Sequence, residues 1–191
     1  LEVISRRRPE RREYETSIGY SPDLRKVNFQ GMLLSGIRLQ GINLKGSFFD
    51  GADGNATRVP MSDDFENYLD LRDCNLEDVS FIGATLRCAK FDGSVIVNSR
   101  FEGAELEYAS FEGCKIDRSD FAGSQAHRAD FSKSEISQCN LECFYADTAK
   151  FHASVIYQSN LQGANFVDAK FQEAHCKFCD LSHGSLCSSE I

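Results

Sequence analysis

The sequence has little of what marks a membrane protein or a nucleic-acid-binding protein. No apolar run is long enough to span a bilayer, so membrane association is expected only through segments outside this chain. Lysine and arginine number 21 against 29 aspartates and glutamates, which gives a net charge of −8. Because a surface that neutralises phosphates needs excess basic residues, direct nucleic-acid binding is not expected. The same acidic balance leaves imitation of nucleic acid open.

No secretory signal is visible, although the chain begins with Leu1 rather than methionine, which leaves a processed or trimmed N-terminus open. The 191 residues suit one domain with a substantial core. We expect a cytoplasmic location, or the cytoplasmic side of a membrane protein, because the eight cysteines are interpreted below as reduced thiols.

The chemistry of an enzyme is also missing from the pattern. The four histidines have no nucleophile and orienting acid in compatible positions. No glycine-rich phosphate loop occurs, since the glycines follow a five-residue spacing instead. We therefore predict a protein that is not an enzyme and has no cofactor.

What the sequence does contain is an unbroken period of five. From Leu71 onward every fifth residue is Leu, Phe or Ile, except Ala126, Ala146 and Cys176. The residue two positions before each of these is usually small. A helix repeats every 3.6 residues and a strand every two, so a period of five fits neither and indicates a solenoid.

A second period of twenty residues lies above the first, because similar residues recur at every fourth quintet. Four quintets would form one four-sided coil, with successive coils about 4.8 Å apart, like paired strands. The central and small residues of each quintet would point inward, and glycine in the last position would turn the corner with positive φ. The four columns of central residues are Leu71, Phe91, Phe111, Phe131, Phe151, Phe171, Ile191 on a first face; Leu76, Ile96, Ile116, Ile136, Ile156, Cys176 on a second; Phe81, Phe101, Phe121, Leu141, Leu161, Leu181 on a third; and Leu86, Leu106, Ala126, Ala146, Phe166, Leu186 on a fourth.

Quintets such as "AKFDG", "AELEY" and "ANFVD" are similar to the A-(D/N)-L-x-x pattern of the pentapeptide-repeat family. The resemblance covers residues 22–191 apart from one interruption. It implies an all-β fold, a right-handed parallel quadrilateral β-helix solenoid of about eight coils over residues 21–191. A short helical or flexible segment is expected at residues 1–20, where clustered arginines precede Pro9.

The repeat is interrupted once. An earlier block, Leu24 to Phe49, has the same period, but the frame breaks after Gly54 and resumes at Leu71. A loop at about 55–68 is predicted, either a tolerated insertion or a binding loop, since loops on rigid scaffolds often carry function. Its candidate binding residues are Asp63, Asp64, Phe65 and Glu66. Ile191 falls on a central position with an open strand edge, which suggests a missing tail or an end covered by a second subunit, as in a homodimer.

Two cysteine pairs, Cys139 with Cys143 and Cys176 with Cys179, have a spacing that occurs in zinc sites. The repeat argues against such a site, because Cys139 and Cys179 would lie two coils, or about 9.6 Å, apart. The same distance excludes a disulfide between those two residues. Buried small hydrophobic residues are the better interpretation, and no metal site is predicted.

Acidic residues are concentrated in residues 62–124, which hold 14 acidic and 6 basic side chains. This surface is either an ordinary solvated one or an electrostatic imitation of DNA. The resemblance implies the second possibility, because some members of the family act in this way on DNA gyrase, a type II topoisomerase. Basic residues interleave with the acids and spread them over all four faces. The candidate acids are Asp92, Glu102, Glu105, Glu107, Glu112, Asp117 and Asp120.

Apolar residues in outward positions form a third candidate surface. Val95, Val97, Val155 and Tyr157 share one face, three coils apart, and could contact a protein partner or a second copy of the chain. We therefore predict a non-catalytic protein-interaction scaffold, a module of a larger protein with a partner of unknown identity. The alternative prediction is a DNA mimic that binds gyrase.

Overall fold

A computed structural model describes residues 24–55, 57–58, 65–66 and 68–186. Within these ranges the chain is an all-parallel β-solenoid, apart from one small antiparallel pair, and contains no helix. The predicted N-terminal helical or flexible segment, residues 1–20, lies outside the described residues. The strands are β1 Thr57–Arg58, β2 Phe65–Glu66, β3 Asn75–Glu77, β4 Val95–Val97, β5 Lys115–Asp117, β6 Glu135–Ser137, β7 Val155–Tyr157 and β8 His175–Lys177.

The strands β3 to β8 form a six-stranded parallel sheet in chain order. Each strand pairs with the next at a spacing of twenty residues, so that Leu76 lies opposite Ile96 and Ile96 opposite Ile116. The other three faces are joined by single bridges at the same spacing, for example Ser80 with Arg100. From β3 to β8 the chain makes about five turns, and residues 24–55 add further levels before them. This arrangement confirms the predicted four-sided parallel β-helix.

Two columns of phenylalanine rings fill the centre of the coil. On the third face, Phe81, Phe101 and Phe121 stack with centroid distances of 4.8 and 4.5 Å. On the opposite first face, Phe91 and Phe111 stack at 4.5 Å with their planes 2° apart. The two columns meet edge to face, at 5.8 to 6.2 Å where Phe101 touches its two neighbours. Both geometries are favourable for aromatic pairs, so the rings stabilise the stack along its axis and across it.

Large residues from neighbouring positions fill the space left at the small central residues Ala126 and Ala146 and at Gly54. Ala126 and Ala146 leave space on the fourth face, and Phe144, which occupies a position that is usually small, is fully buried there. Its ring meets the edge of Phe131 at 5.9 Å. Gly54 has no side chain at all, and a Cβ built on it would lie 3.0 Å from the Leu69 side chain. In both places a missing central side chain is replaced by an extra large one from a position that is usually small.

The interruption adds twelve residues between two faces of one coil. Before it, Leu33 bridges Asp53 at a spacing of twenty residues, whereas Arg38 bridges Asp70 at a spacing of 32. The added chain contains the antiparallel pair β1 and β2, in which Thr57 lies opposite Glu66. The coil therefore continues in register on either side of the insertion.

The corners of the coil need positive φ, as predicted, and glycine does not supply all of them. Among the described residues, eleven glycines and eighteen others have φ between +47° and +74°, all in the last position of a quintet. Thr148 is one of these, with φ +56°. A β-branched residue is a poor choice for this conformation, because its side chain crowds the backbone. Its backbone geometry is thus determined by the stacked coil and not by its own preference.

Replacing Thr148 by asparagine, which tolerates the left-handed conformation, is expected to raise the free energy of unfolding by about 1 kcal/mol. Gly123→Ala is expected to lower the free energy of unfolding by a similar amount. Gly123 has φ +64°, which alanine adopts poorly, and no atom lies within 4 Å of the added Cβ, so backbone strain is the cost of this change. Denaturant titration of both variants tests this, and a loss of stability in Thr148→Asn would contradict it.

Candidate interaction surfaces

The interior of the coil is packed with side chains, which leaves the outer residues of each quintet for binding. Fully buried side chains, ten phenylalanines among the largest, occupy the centre from Phe49 to Phe166. One concavity of about 270 Å³ opens at the last described coil, where Ile156, Phe166 and Phe171 are among the residues that line it. Any recognition along the length of the coil must therefore use residues that point outward from its four faces.

The structure does not bring the seven candidate acids into one patch. Asp92 and Glu112 lie on the first face and Asp117 on the second, since they flank central residues of those columns. The other four are divided between the third face, which has Glu102 and Asp120, and the fourth face, which has Glu105 and Glu107. These acids therefore surround the coil.

Most of these acids also have partners within the chain. Glu102 pairs with Arg100 at 2.8 Å, and Glu112 pairs with Lys133 at 2.6 Å. Glu107 pairs with Arg87 in the same way. Each pair places a cation beside the carboxylate, so the field that a partner meets is of mixed sign.

The three candidate aspartates accept hydrogen bonds from neighbouring coils or corners. Asp92 accepts from the Ser110 hydroxyl and from the backbone N–H of Glu112, the latter at 3.1 Å. Asp120 accepts from the Asn140 amide at 3.1 Å, and Asp117 accepts from the Ser137 hydroxyl at 2.8 Å. These carboxylates therefore help to join successive coils in addition to facing solvent.

The third face of the coil is acidic, although its acids do not cluster along the chain. Outward positions of the third face hold five acids and one base, Arg100, over residues 28–183. The acids are Asp50, Glu102, Asp120, Glu142 and Asp180. A count by column would have identified this face from the sequence, because its members lie on different coils instead of clustering along the chain.

The four candidate apolar residues form two separate groups. Val95 and Val97 belong to β4, and Val155 and Tyr157 belong to β7. Between them lie β5 and β6, which present the charged residues Lys115 and Glu135 on the same row. Three strand spacings, about 14 Å, separate the two groups. The structure therefore does not support a single apolar patch along this face.

The group on β7 is enlarged by a residue that the sequence analysis overlooked. Phe178 follows β8 and is 78% exposed, and its ring meets that of Tyr157 at 5.6 Å with the planes perpendicular. Val155 is 42% exposed and Tyr157 37% exposed. Phe178 escaped notice because it occupies the corner position, where glycine is common. We call Val155, Tyr157 and Phe178 the Tyr157 patch.

The loop candidates are only partly placed. Phe65 and Glu66 form β2, opposite β1. Asp63 and Asp64 lie outside the described residues. Whether this insertion binds a partner stays a prediction.

The cysteines in small inward positions behave as buried hydrogen-bonding residues. The thiols of Cys74 and Cys114 contact backbone carbonyl oxygens at 2.9 and 3.0 Å. Ser94, in an equivalent position, likewise donates to a carbonyl, that of Leu71, at 2.7 Å. Burial raises the pKa of Cys114 and of Cys139 to about 12, so both stay protonated at neutral pH. Among the described residues, no three His, Cys, Asp or Glu side chains are grouped as metal ligands would be.

One buried ion pair stabilises the point where the chain re-enters the coil after the insertion. Asp70 is 1% exposed, and its carboxylate accepts from the Arg72 guanidinium at 2.6 and 2.9 Å. Burial raises the pKa of Asp70, but the side-chain and backbone hydrogen bonds of Arg72 more than offset this, and the pKa lies below its ordinary value. The pair is therefore ionised at neutral pH.

A model of pentapeptide repeats matches eight copies in this sequence, over residues 23–53, 69–103, 104–142 and 149–186. The chain belongs to the pentapeptide repeat family. The match stops at the insertion and resumes at Leu69, the residue that fills the space beside Gly54. No curated protein sequence matches the chain significantly.

Two solved structures are similar to this member of the family. QnrB1, a plasmid-mediated fluoroquinolone resistance protein, is 16% identical, with a TM-score of 0.60 over 88% of this chain and 85% of QnrB1. A pentapeptide repeat protein of the Arabidopsis thaliana thylakoid lumen is 29% identical, with a TM-score of 0.51 over 52% of this chain and 69% of its own. The first similarity shows a common fold. In the part of this chain that the structure describes, no helix is long and apolar enough to cross a membrane.

Removing the cation from the buried pair, Arg72→Ala, is expected to lower the free energy of unfolding by about 2 kcal/mol at pH 7, because Asp70 keeps a buried charge that has lost its guanidinium donors. The folded-state pKa of Asp70 is lowered, so the contribution is present above its ordinary pKa of about 4 and is lost as the pH falls through the lower folded value. The difference between wild type and Arg72→Ala should therefore shrink towards pH 2.

The matched control is Arg100→Ala, which removes the partner of Glu102 on the exposed surface. It is expected to cost less than about 1 kcal/mol. Equal losses in the two variants, or an Arg72→Ala loss that does not change with pH, would contradict the role of the buried pair. Denaturant titration at several pH values gives both quantities.

Proposed function

We propose that this pentapeptide repeat protein is a non-catalytic scaffold that binds a protein partner through the Tyr157 patch. The observation that carries the proposal is the contact between Tyr157 and Phe178, two aromatic rings on the outside of the coil. Their side chains are supported by the parallel pairing of β7 with β8. An exposed aromatic pair on a rigid support is typical of the residues that contribute most to protein binding.

The surroundings of the patch suit a protein interface with a polar rim. Val155 lies beside His175 and Glu135 on the neighbouring strands, and Tyr157 lies beside Lys177. Apolar residues are thus bordered by residues that can form hydrogen bonds or ion pairs. Interfaces commonly combine an apolar centre with such a rim. The patch is also next to the concavity at the last described coil, which Cys176 and Leu181 help to line.

Imitation of DNA towards a type II topoisomerase is the alternative proposal. Its support is the net charge of −8 and the acidic third face. Against it stand the distribution of the seven candidate acids over four faces and the cations paired with Glu102, Glu107 and Glu112. A field like that of DNA phosphates requires rows of carboxylates without cations between them. We therefore favour the Tyr157 patch as the binding surface.

The proposal includes expectations about oligomeric state, location and the binding partner. A homodimer through the end of the β-helix would cover the concavity that Phe171 and Leu186 help to line. Membership of a larger protein and a cytoplasmic location are likewise expectations. The partner of the Tyr157 patch is expected to offer an apolar pocket for the two rings, since aromatic anchors bind in such pockets.

The proposal is tested with the double variant Tyr157→Lys and Phe178→Asn. Asparagine tolerates the positive φ of +57° at position 178, so the coil should stay folded. Capture from an extract of the native host, measured by quantitative mass spectrometry against wild type, should identify a partner. Its affinity for the double variant should be at least about tenfold weaker, since each aromatic anchor contributes about 2 kcal/mol.

The control is Val95→Glu, which lies on the same face but three strands away from Tyr157. It adds a charge to the row of outward residues that also contains Val155, and the affinity for the partner should stay unchanged. Recovery of the same partners at the same affinity by the Tyr157→Lys and Phe178→Asn variant would show that the Tyr157 patch is not the interface.

A further inference from the structure

Two cysteines lie side by side at the last described coil. Cys176 occupies the central inward position of β8, and Cys179 occupies the small inward position that follows the next corner. Only Lys177 and Phe178 separate them in the sequence. The Cys179 thiol contacts the backbone carbonyl oxygen of Ile156 at 3.6 Å, and Ile156 lies opposite Cys176 on the neighbouring strand. This C-x-x-C spacing is the one found in redox-active dithiols.

The position of Cys176 differs from that of its column neighbours. On the five preceding coils the same position is filled by buried Leu or Ile residues, the last of which is Ile156. Cys176 instead is exposed, and it helps to line the concavity of about 270 Å³. Cys179 is half-buried. Among the described residues, Cys176 is therefore less enclosed than its column neighbours.

The other described cysteines have a different environment. Cys74, Cys88, Cys114 and Cys139 are buried, so they are closed to reagents in the folded protein. Cys143 is exposed but lies in a corner position, where its sulfur is close to Gly163 on the next coil. Among the described cysteines, Cys176 and Cys179 thus differ from the four buried thiols.

We propose that Cys176 and Cys179 form a reversible intrachain disulfide, with a low-molecular-weight disulfide such as glutathione disulfide as the oxidant. One cysteine, as its thiolate, attacks a sulfur of glutathione disulfide and releases one glutathione thiolate. The second cysteine loses its proton and attacks the resulting mixed disulfide, which releases the second glutathione. In total, two electrons pass from the protein to glutathione disulfide, and the two protons from the protein thiols go to the two released glutathiones.

The disulfide would fix the corner that carries Phe178, because that residue lies between the two cysteines. Oxidation would then hold the outermost ring of the Tyr157 patch in one position. The Cys176 side chain is exposed at one side, but its sulfur is partly enclosed by the coil. This partial burial and the interaction with Cys179 raise the pKa of Cys176 to about 12, so the reaction should be slow at pH 7 and faster at pH 8.5. The dithiol site itself does not depend on the proposed scaffold function.

The test uses the full chain with Cys143→Ser and Cys187→Ser, which leaves the dithiol and the buried cysteines. The folded protein is incubated with glutathione disulfide at pH 8.5 and then unfolded in denaturant that contains excess N-ethylmaleimide. Every free thiol, including the buried ones, is thereby alkylated before it can exchange, and the protein is digested with trypsin. Trypsin cuts after Lys170 and Lys177, so Cys176 and Cys179 fall in different peptides, 171–177 and 178–191. We expect the two peptides joined by a bond that dithiothreitol breaks, and their yield should rise from pH 7 to pH 8.5.

The control adds Cys176→Ser, which should leave Cys179 carrying glutathione and abolish the linked peptides. Three results would overturn the proposal. The first is recovery of both peptides separately, alkylated or carrying glutathione. The second is linkage of either peptide to a buried cysteine. The third is a covalent dimer of the chain on a non-reducing gel, which would show an interchain bond.

Discussion

The contact between a core residue and the residue twenty positions later supports every other feature of this molecule. Phenylalanine rings along the first and third faces stack nearly parallel, and the two columns meet edge to face in the centre. Because each ring touches rings above, below and across, a side of the coil has to be five residues long wherever a ring is present. The backbone then accepts positive φ at the corners even for threonine and tyrosine, as at Thr148 and Tyr108. Local backbone preference is weaker here than the packing that overrides it.

This constraint explains why the fold could be read from the sequence. A five-residue period with a twenty-residue period above it leaves few alternatives to a four-sided coil, and the structure has the predicted register. The period could not show which residues fill the space left where a central residue is small. Leu69 beside Gly54 and Phe144 beside Ala146 are large residues in small positions, and each fills space that belongs to another quintet. Such compensation depends on contacts between coils, which a single column does not display.

The outer surface was much less predictable than the core. Outward positions are not constrained by the repeat, so their identity follows from the neighbours on adjacent coils. Glu112 looked like part of an acidic cluster along the chain, but Lys133 on the next coil is its partner. Phe178 looked like a corner residue, but it lies against Tyr157 of the preceding coil. Both relations join residues 21 positions apart, and a count over a segment of sequence does not detect them.

The core and the surface of the coil are thus under different constraints. Central positions determine the architecture, and substitutions there affect the whole stack. Outward positions can vary as long as the corner geometry is kept, which allows an aromatic pair and an acidic face to exist on one frame. This separation supports a scaffold function for the chain, because recognition can change at the surface without changing the core.

Replacing one ring in the middle of a column tests this account most directly. Phe111 stacks on Phe91 at 4.5 Å and on Phe131 at 4.7 Å, and it is completely buried. Phe111→Ala should lower the free energy of unfolding by about 3–5 kcal/mol, measured by denaturant titration, whereas Tyr145→Ala, at an exposed aromatic residue, should change it by less than about 0.5 kcal/mol. Similar small effects in both variants would contradict the claim that stacked central residues stabilise the coil.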